Sequence, residues 1–176
     1  LSALYLMNAA GVQSIVDLNS WLQASALSRF MLDWKWAWPI AEILHYCAMS
    51  FMVGAVLLMD VRLMGFFRRT ISLHQIHSLT PWALAAFLIN VLTGVAFLST
   101  RLNAYLNNAA FEFKVICLAL AGINFLLFWF VVRAKLLSLP DDGETDLFAK
   151  SVGCSSIVLW TLVLWGGRMI PVYGLG

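Results

Sequence analysis

Glu42, His45, Met49 and Met52 follow one another in the stretch PIAEILHYCAMSFMVGAVLLMD, residues 39–60, at steps of three, four and three. Those steps set them on one continuous face of a helix. An imidazole nitrogen can ligate a metal or a haem iron, a carboxylate one turn away can orient it, and thioethers are soft ligands for Cu(I). The stretch is also apolar enough to lie in a bilayer, where polar groups are costly and turn toward a bundle interior. The face bearing His45 is therefore expected to look inward. Cys47 points elsewhere on the same helix.

Other chemistry-bearing residues fall at the same expected depth. At the rise of an α-helix, His45 should lie roughly 9 Å inside its span. Glu112 and Lys114 stand at the start of a later apolar block, and Arg168 near the end of the last one. With blocks alternating in direction, Glu42, His45, Glu112, Lys114 and Arg168 are expected to meet in one layer drawn from three helices. His74 and His77 precede a different block. They should sit roughly 15 to 20 Å from His45 along the membrane normal, too far to share a metal with it, and they read as interfacial loop residues.

Three chemistries compete for that layer. In the first, the acid, the imidazole and the cations neutralise one another and fix helix register, with no cofactor at all. In the second, His45 ligates haem b, Glu42 orients it, Arg168 and Lys114, with Arg101 in the outer loop, meet the propionates, and Lys114, Met49 or solvent supplies a further ligand. In the third, His45, Met49 and Met52 form a copper-binding stripe with Cys47 close by.

The elements that must position these residues follow from composition. The chain has 176 residues, 62% of them hydrophobic and 11% charged. A soluble domain of this length carries about twice that charge. The apolar residues come in four blocks, at about 38–60, 81–99, 111–132 and 152–170. Each is long enough to cross a hydrocarbon core of about 30 Å, and a lipid-exposed span must be helical to satisfy its backbone. The expected fold is all-α, a transmembrane four-helix bundle over residues 38–176.

Residues 1–37 form a separate N-terminal segment. LSALYLMNAAGVQSIV is apolar but short, and reads as part of an upstream signal or anchor or as an interfacial helix. From Leu18 to Met31 the pattern is amphipathic, which predicts a helix lying on the membrane surface. Trp34, Trp36 and Trp38, with Lys35 among them, form an interfacial aromatic belt.

Arg62, Arg68 and Arg69 fall in one expected connector, and Arg133, Lys135 and Lys150 in another on the same side. That bias puts both connectors in the cytoplasm and the N-terminal segment and C-terminus on the outer side of a bacterial inner membrane. SLPDDGETD is expected to be a solvated turn region. Asn90, Thr93 and Asn124 are expected to make interhelical hydrogen bonds of about 1 kcal/mol each. Gly94, Gly122, Gly166 and Gly167 are expected to permit close helix approach. Cys47, Cys117 and Cys154 all lie in apolar blocks, as packed thiols do. There is no phosphate loop, nucleophile elbow or CxxC pair, and nothing points to nucleic-acid binding.

The segment WLQASALSRFMLDWKWAWPIAEILHYCAMSFMVGAVLLMDVRLMG resembles the opening of a bacterial integral-membrane family of unknown function. The likeness rests on E-x-x-H in the first span, Glu42 and His45, and on D-x-R-L-x-G after it, Asp60, Arg62, Leu63 and Gly65. FEFKVICLALAGIN, with Lys114, and GGRMIPVY resemble the family's third span and the end of its fourth. More distantly, a first-span histidine and a third-span lysine are similar to the HemJ type of protoporphyrinogen oxidase, and the helical layout to the copper-resistance D domain. The first of these implies haem b, with His45 and Lys114 as the positions concerned. The leading expectation is thus a b-type cytochrome-like subunit passing electrons within a larger membrane complex. A non-redox scaffold or accessory subunit and a copper transport or resistance protein are the alternatives.

Overall fold

A computed structural model describes residues 17–72, 75, 78–136, 138–140 and 143–174. Residues 1–16, with the expected leader or anchor, and His74 and His77 lie outside the described residues. Residues 17–23 are helical, followed by α1 (Ala26–Asp33) and α2 (Ala37–Leu63). Then come α3 (Thr80–Thr100), the short α4 (Leu102–Leu106) and α5 (Ala109–Leu127). A π-helical stretch (Phe128–Val132) carries α5 into α6 (Arg133–Leu136), and α7 (Leu147–Met169) completes the chain.

Four helices are long and apolar enough to cross a membrane: Ala37–Leu63, Thr80–Thr100, Ala109–Leu136 and Leu147–Met169. The protein is a multi-pass membrane protein with an all-helical, four-span bundle. Large apolar side chains such as Ile43, Leu92, Ile116 and Phe130 cover its outside, which is the face that lipid solvates.

The spans pair as two antiparallel hairpins. α2 packs along α3, α5 along α7, and α2 against α7 joins the pairs. Among the described residues α3 and α5 have only marginal contact. Without a hydrophobic drive between helices in lipid, small residues decide where backbones meet. The buried seams are accordingly rich in alanine: Ala41, Ala48 and Ala55 on α2, Ala83, Ala86 and Ala96 on α3, Ala110 and Ala121 on α5. Gly153 gives α7 its closest approach to α2, where a Cβ would stand 2.9 Å from the Asp60 carbonyl oxygen. Gly166 plays the same part against α5. Gly94 and Gly122 do not: a Cβ at either would meet nothing within 4 Å.

Helix ends differ from the sequence expectation where side chains cap them. The last span starts at Leu147 because the Asp146 carboxylate accepts from the Ala149 N–H at 2.8 Å. Lys150 therefore lies in the first turn of α7 and pairs with Glu144 at 2.8 Å. With Lys135–Asp146 at 3.0 Å and Arg68–Glu144 at 3.6 Å, these pairs tie down a stretch expected to be only a solvated turn.

Arg62 is the larger correction. It is no loop cation but sits inside α2, 1% exposed, and its Nε donates to the Ile71 carbonyl at 2.9 Å. The connector folds back over the helix end and supplies that acceptor. α2 stops at Gly65, whose φ of 98° lets its N–H reach the Arg62 carbonyl and lets the Phe66 N–H reach Val61. That is the glycine-dependent helix stop a side chain would strain.

At the other end of the bundle, the single amphipathic helix expected over residues 18–31 is two pieces. Ser25 caps α1 by accepting from the Ser28 N–H at 3.2 Å, and α1 rests on α3 and α2 through Met31. Trp34 and Trp36 are exposed, whereas Trp38 packs on Phe97 with ring centroids 4.9 Å apart. Asn108 closes this end. Its Oδ1 accepts from the Ala110 and Phe111 N–H groups, and its Nδ2 donates to the Ile170 carbonyl at 3.0 Å.

Candidate functional site

The inward stripe of α2 decides which side chains face the other helices. It runs Ala41, His45, Ala48, Met52, Ala55, Met59, alternating steps of four and three. Ala41, Ala48, Met52, Ala55 and Met59 are buried and His45 is half-buried between them. Glu42 and Met49 lie one position off this seam. Glu42 is exposed, with only a long 3.4 Å contact from the Tyr46 hydroxyl, and Met49 is half-buried. The continuous inward face of Glu42, His45, Met49 and Met52 is thus corrected: His45 and Met52 belong to the seam. The small side chain of Ala41 wins the interface position over the larger, charged Glu42.

His45 is held from α3. Its Nδ1 lies 2.7 Å from Thr93 Oγ1. The same hydroxyl lies 2.8 Å from the Ile89 carbonyl and 3.2 Å from that of Asn90. With its proton on the Ile89 carbonyl, the hydroxyl oxygen is placed to accept from His45 Nδ1–H. In that tautomer Nε2 keeps its lone pair, and it has no hydrogen-bond partner among the described residues. The Phe97 ring meets the imidazole edge-on at 5.6 Å and fixes its plane. Glu42 takes no part in orienting the ring; Thr93 does. Asn124 also bridges helices, donating to the Val152 carbonyl at 3.1 Å, whereas Asn90 bonds back to Ala86 within α3.

Lys114 comes from α5. Its stem lies across the paired glycines of α7: a Cβ on Gly166 would meet its Cβ at 3.2 Å, and one on Gly167 its Nζ at 3.5 Å. The amine makes no hydrogen bond or ion pair among the described residues. Arg168, one residue beyond Gly167, is exposed on the opposite side of α7 from buried Val163 and Gly166. Glu112 is exposed as well. Of the expected five-residue layer only His45 and Lys114 are half-buried, and the residue that bonds His45 is Thr93, the partner the sequence reading left unmatched.

No protein-family model, curated protein or solved structure matches this chain.

The arrangement can present one imidazole nitrogen on α2 and one primary amine on α5. Among the described residues there is no ion pair between Glu42, His45, Lys114 and Arg168, and the Arg68–Glu144, Lys135–Asp146 and Lys150–Glu144 pairs lie at the far end of the bundle. There is also no group of three or more His, Cys, Asp and Glu side chains able to hold a metal ion among the described residues. Met52 packs with Ala48 and Ala86, and Cys47 is exposed on the outside of α2.

Proposed function

We propose that this protein is a b-type cytochrome-like subunit that holds haem b through His45 and transfers electrons within a larger complex of the bacterial inner membrane. One observation carries the reading. The Thr93 hydroxyl stands 2.7 Å from His45 Nδ1, placed to accept its N–H, and such a bond is how proteins fix a ligating histidine with its other nitrogen free. Lys114, on α5, has no hydrogen-bond or ion-pair partner of its own among the described residues. The residues present fit a haem in this respect: His45 would be the axial ligand and Lys114 a second ligand or a propionate partner. Arg168, on the outward face, is left out of the set. One-electron exchange is the chemistry such a group supplies when bound. The chain itself orients the imidazole, keeps its tautomer and provides the apolar wall of Phe97.

Among the described residues no ion pair joins Glu42, His45, Lys114 and Arg168, which weighs against a mere charge-locking layer, and the packed Met52 gives no support to a copper relay. Arg68, Arg69, Arg133, Lys135 and Lys150 gather at the end away from α1, which favours that end in the cytoplasm. The donor and acceptor would be other membrane subunits.

The test is the absorption spectrum of the protein purified in mild detergent from haem-replete cells. A Soret band that is lost in His45→Ala, with the variant still monodisperse, is the expected result. A colourless protein without metal would overturn the reading, and stoichiometric copper would replace it.

A further inference from the structure

A second polar site lies near the opposite end of the bundle, roughly 22 Å along α2 from His45. A cavity of about 200 Å³ sits between all four spans. Most of its wall is apolar, with Phe87, Phe125, Phe128 and Trp160 prominent. Asp60 and Thr80 line it from α2 and α3, and both are buried, at 5% and 3% exposure. Buried Ser156 lines it from α7. One Asp60 carboxyl oxygen, Oδ2, and the Thr80 hydroxyl have no partner among the described residues. No cation pairs with Asp60 among the described residues. Arg62, two residues on, is engaged with the connector instead.

Buried polar groups at membrane depth are costly unless satisfied, and an ionisable one marks a site by default. Here two such groups, on two helices, border the same space. Their missing partner must be able to donate to or accept from a carboxyl, and to meet a hydroxyl. The rest of its surface must be apolar. The cavity exceeds the roughly 150 Å³ that accommodates a benzene ring in a protein core.

The route in narrows the chemistry further. Leu84 on α3 and Gly122 on α5 both line the cavity and are exposed. They mark its mouth between the two spans that have only marginal contact. That mouth opens toward the hydrocarbon, so the occupant has to be lipid-soluble and uncharged. We infer that this cavity binds the head of an uncharged, lipid-soluble hydroxylated or carbonyl-bearing ring of the quinol and quinone class, seated on Asp60 and Thr80. This site does not depend on any prosthetic group at His45.

The experiment uses the full chain in lipid nanodiscs with a photoreactive azido-benzoquinone carrying a decyl tail, and an unlabelled decyl benzoquinol as competitor. Labelling is expected on α3 and α5 around Phe87 and Phe125, and to fall to background with excess competitor. Asp60→Leu removes the polar seat and should lower labelling about tenfold. Gly122→Leu fills the mouth, where a side chain meets nothing within 4 Å, and should abolish labelling without touching a hydrogen bond. This second variant decides the matter if Asp60→Leu does not fold. Labelling that resists competition, spreads over lipid-facing residues such as Ile123 and Phe130, or persists in Gly122→Leu would overturn the assignment. So would displacement of the probe only by a cationic amphiphile.

Discussion

His45 Nδ1 and Thr93 Oγ1, 2.7 Å apart, form a side-chain bond that joins α2 to α3 within the bundle. It links packing to chemistry, because the bond that locks the helices also chooses the imidazole tautomer. Replacing Thr93 with Val keeps the shape and removes the acceptor. The expected cost is about 1 kcal/mol of bundle stability. The diagnostic effect is on the ring: nitrogen NMR should show Nδ1–H as the dominant tautomer in the parent and a mixture in Thr93→Val. Thr93→Ser should restore the parent pattern. Equal tautomer populations in the parent would refute the assignment.

Glycines of the spans should separate sharply by position. At Gly153 an added Cβ would press on the Asp60 carbonyl at 2.9 Å, and at Gly166 on the Phe113 ring at 3.1 Å. Alanine at either is expected to destabilise by about 1 to 3 kcal/mol, as overpacking does. Gly94→Ala meets open space and should be neutral or stabilising, since Ala favours a helix by up to about 1 kcal/mol over Gly. Thermal unfolding in one detergent ranks the three. Equal losses at Gly94 and Gly166 would contradict the packing described.

Asn108 is a cap and a clasp at once. Asn108→Ala should cost about 1 to 2 kcal/mol from the lost cap alone. It should also free the end of α7, because the bonds from Nδ2 to the Ile170 and Gly174 carbonyls go with it. Hydrogen exchange of residues 170–174 should speed up more than that of α3. Unchanged protection there would show that the clasp is unimportant.

At the end carrying the connectors, acid should loosen the start of α7. Accepting from the Ala149 N–H, and then from Lys135, holds the Asp146 carboxylate below its usual value of 3.8. A lowered folded value means the stabilisation is complete above pH 3.8 and lost as pH falls through the lower folded value. Glu144, lowered chiefly by its hydrogen bond to Lys150 from a usual 4.5, behaves the same way. Both carboxylates are solvated, so the effect is small and its ion-pair part weakens with salt. Asp146→Asn should flatten the acid limb of the melting curve in this region. An unaltered limb would exclude the cap as its source.

The four spans were legible because block hydrophobicity alone dictates helices in lipid. The seam was not. Glu42, His45, Met49 and Met52 differ by one residue at two positions from Ala41, His45, Ala48 and Met52, and periodicity cannot tell the two stripes apart. Alanine decides, because backbones close on the smallest side chains. Arg62 looked like a connector cation in sequence because nothing there reveals that Ile71 returns to accept from it. Thr93 was readable as a bridging hydroxyl but its partner was not, since residues on α2 and α3 are paired only by the helix register. Gly166 and Gly167 were recognisable as close-packing residues; that Lys114 lies across them required the fold. The cavity at Asp60 left no local pattern, since its lining comes from four separate spans.

The most direct measurement is the visible spectrum of the intact protein alongside His45→Ala and Thr93→Val, each checked for monodispersity. A Soret band in the parent, absent in His45→Ala and shifted or weakened in Thr93→Val, is the expected outcome. A parent with no Soret band, or a band of full strength in a folded His45→Ala, would contradict haem ligation by His45.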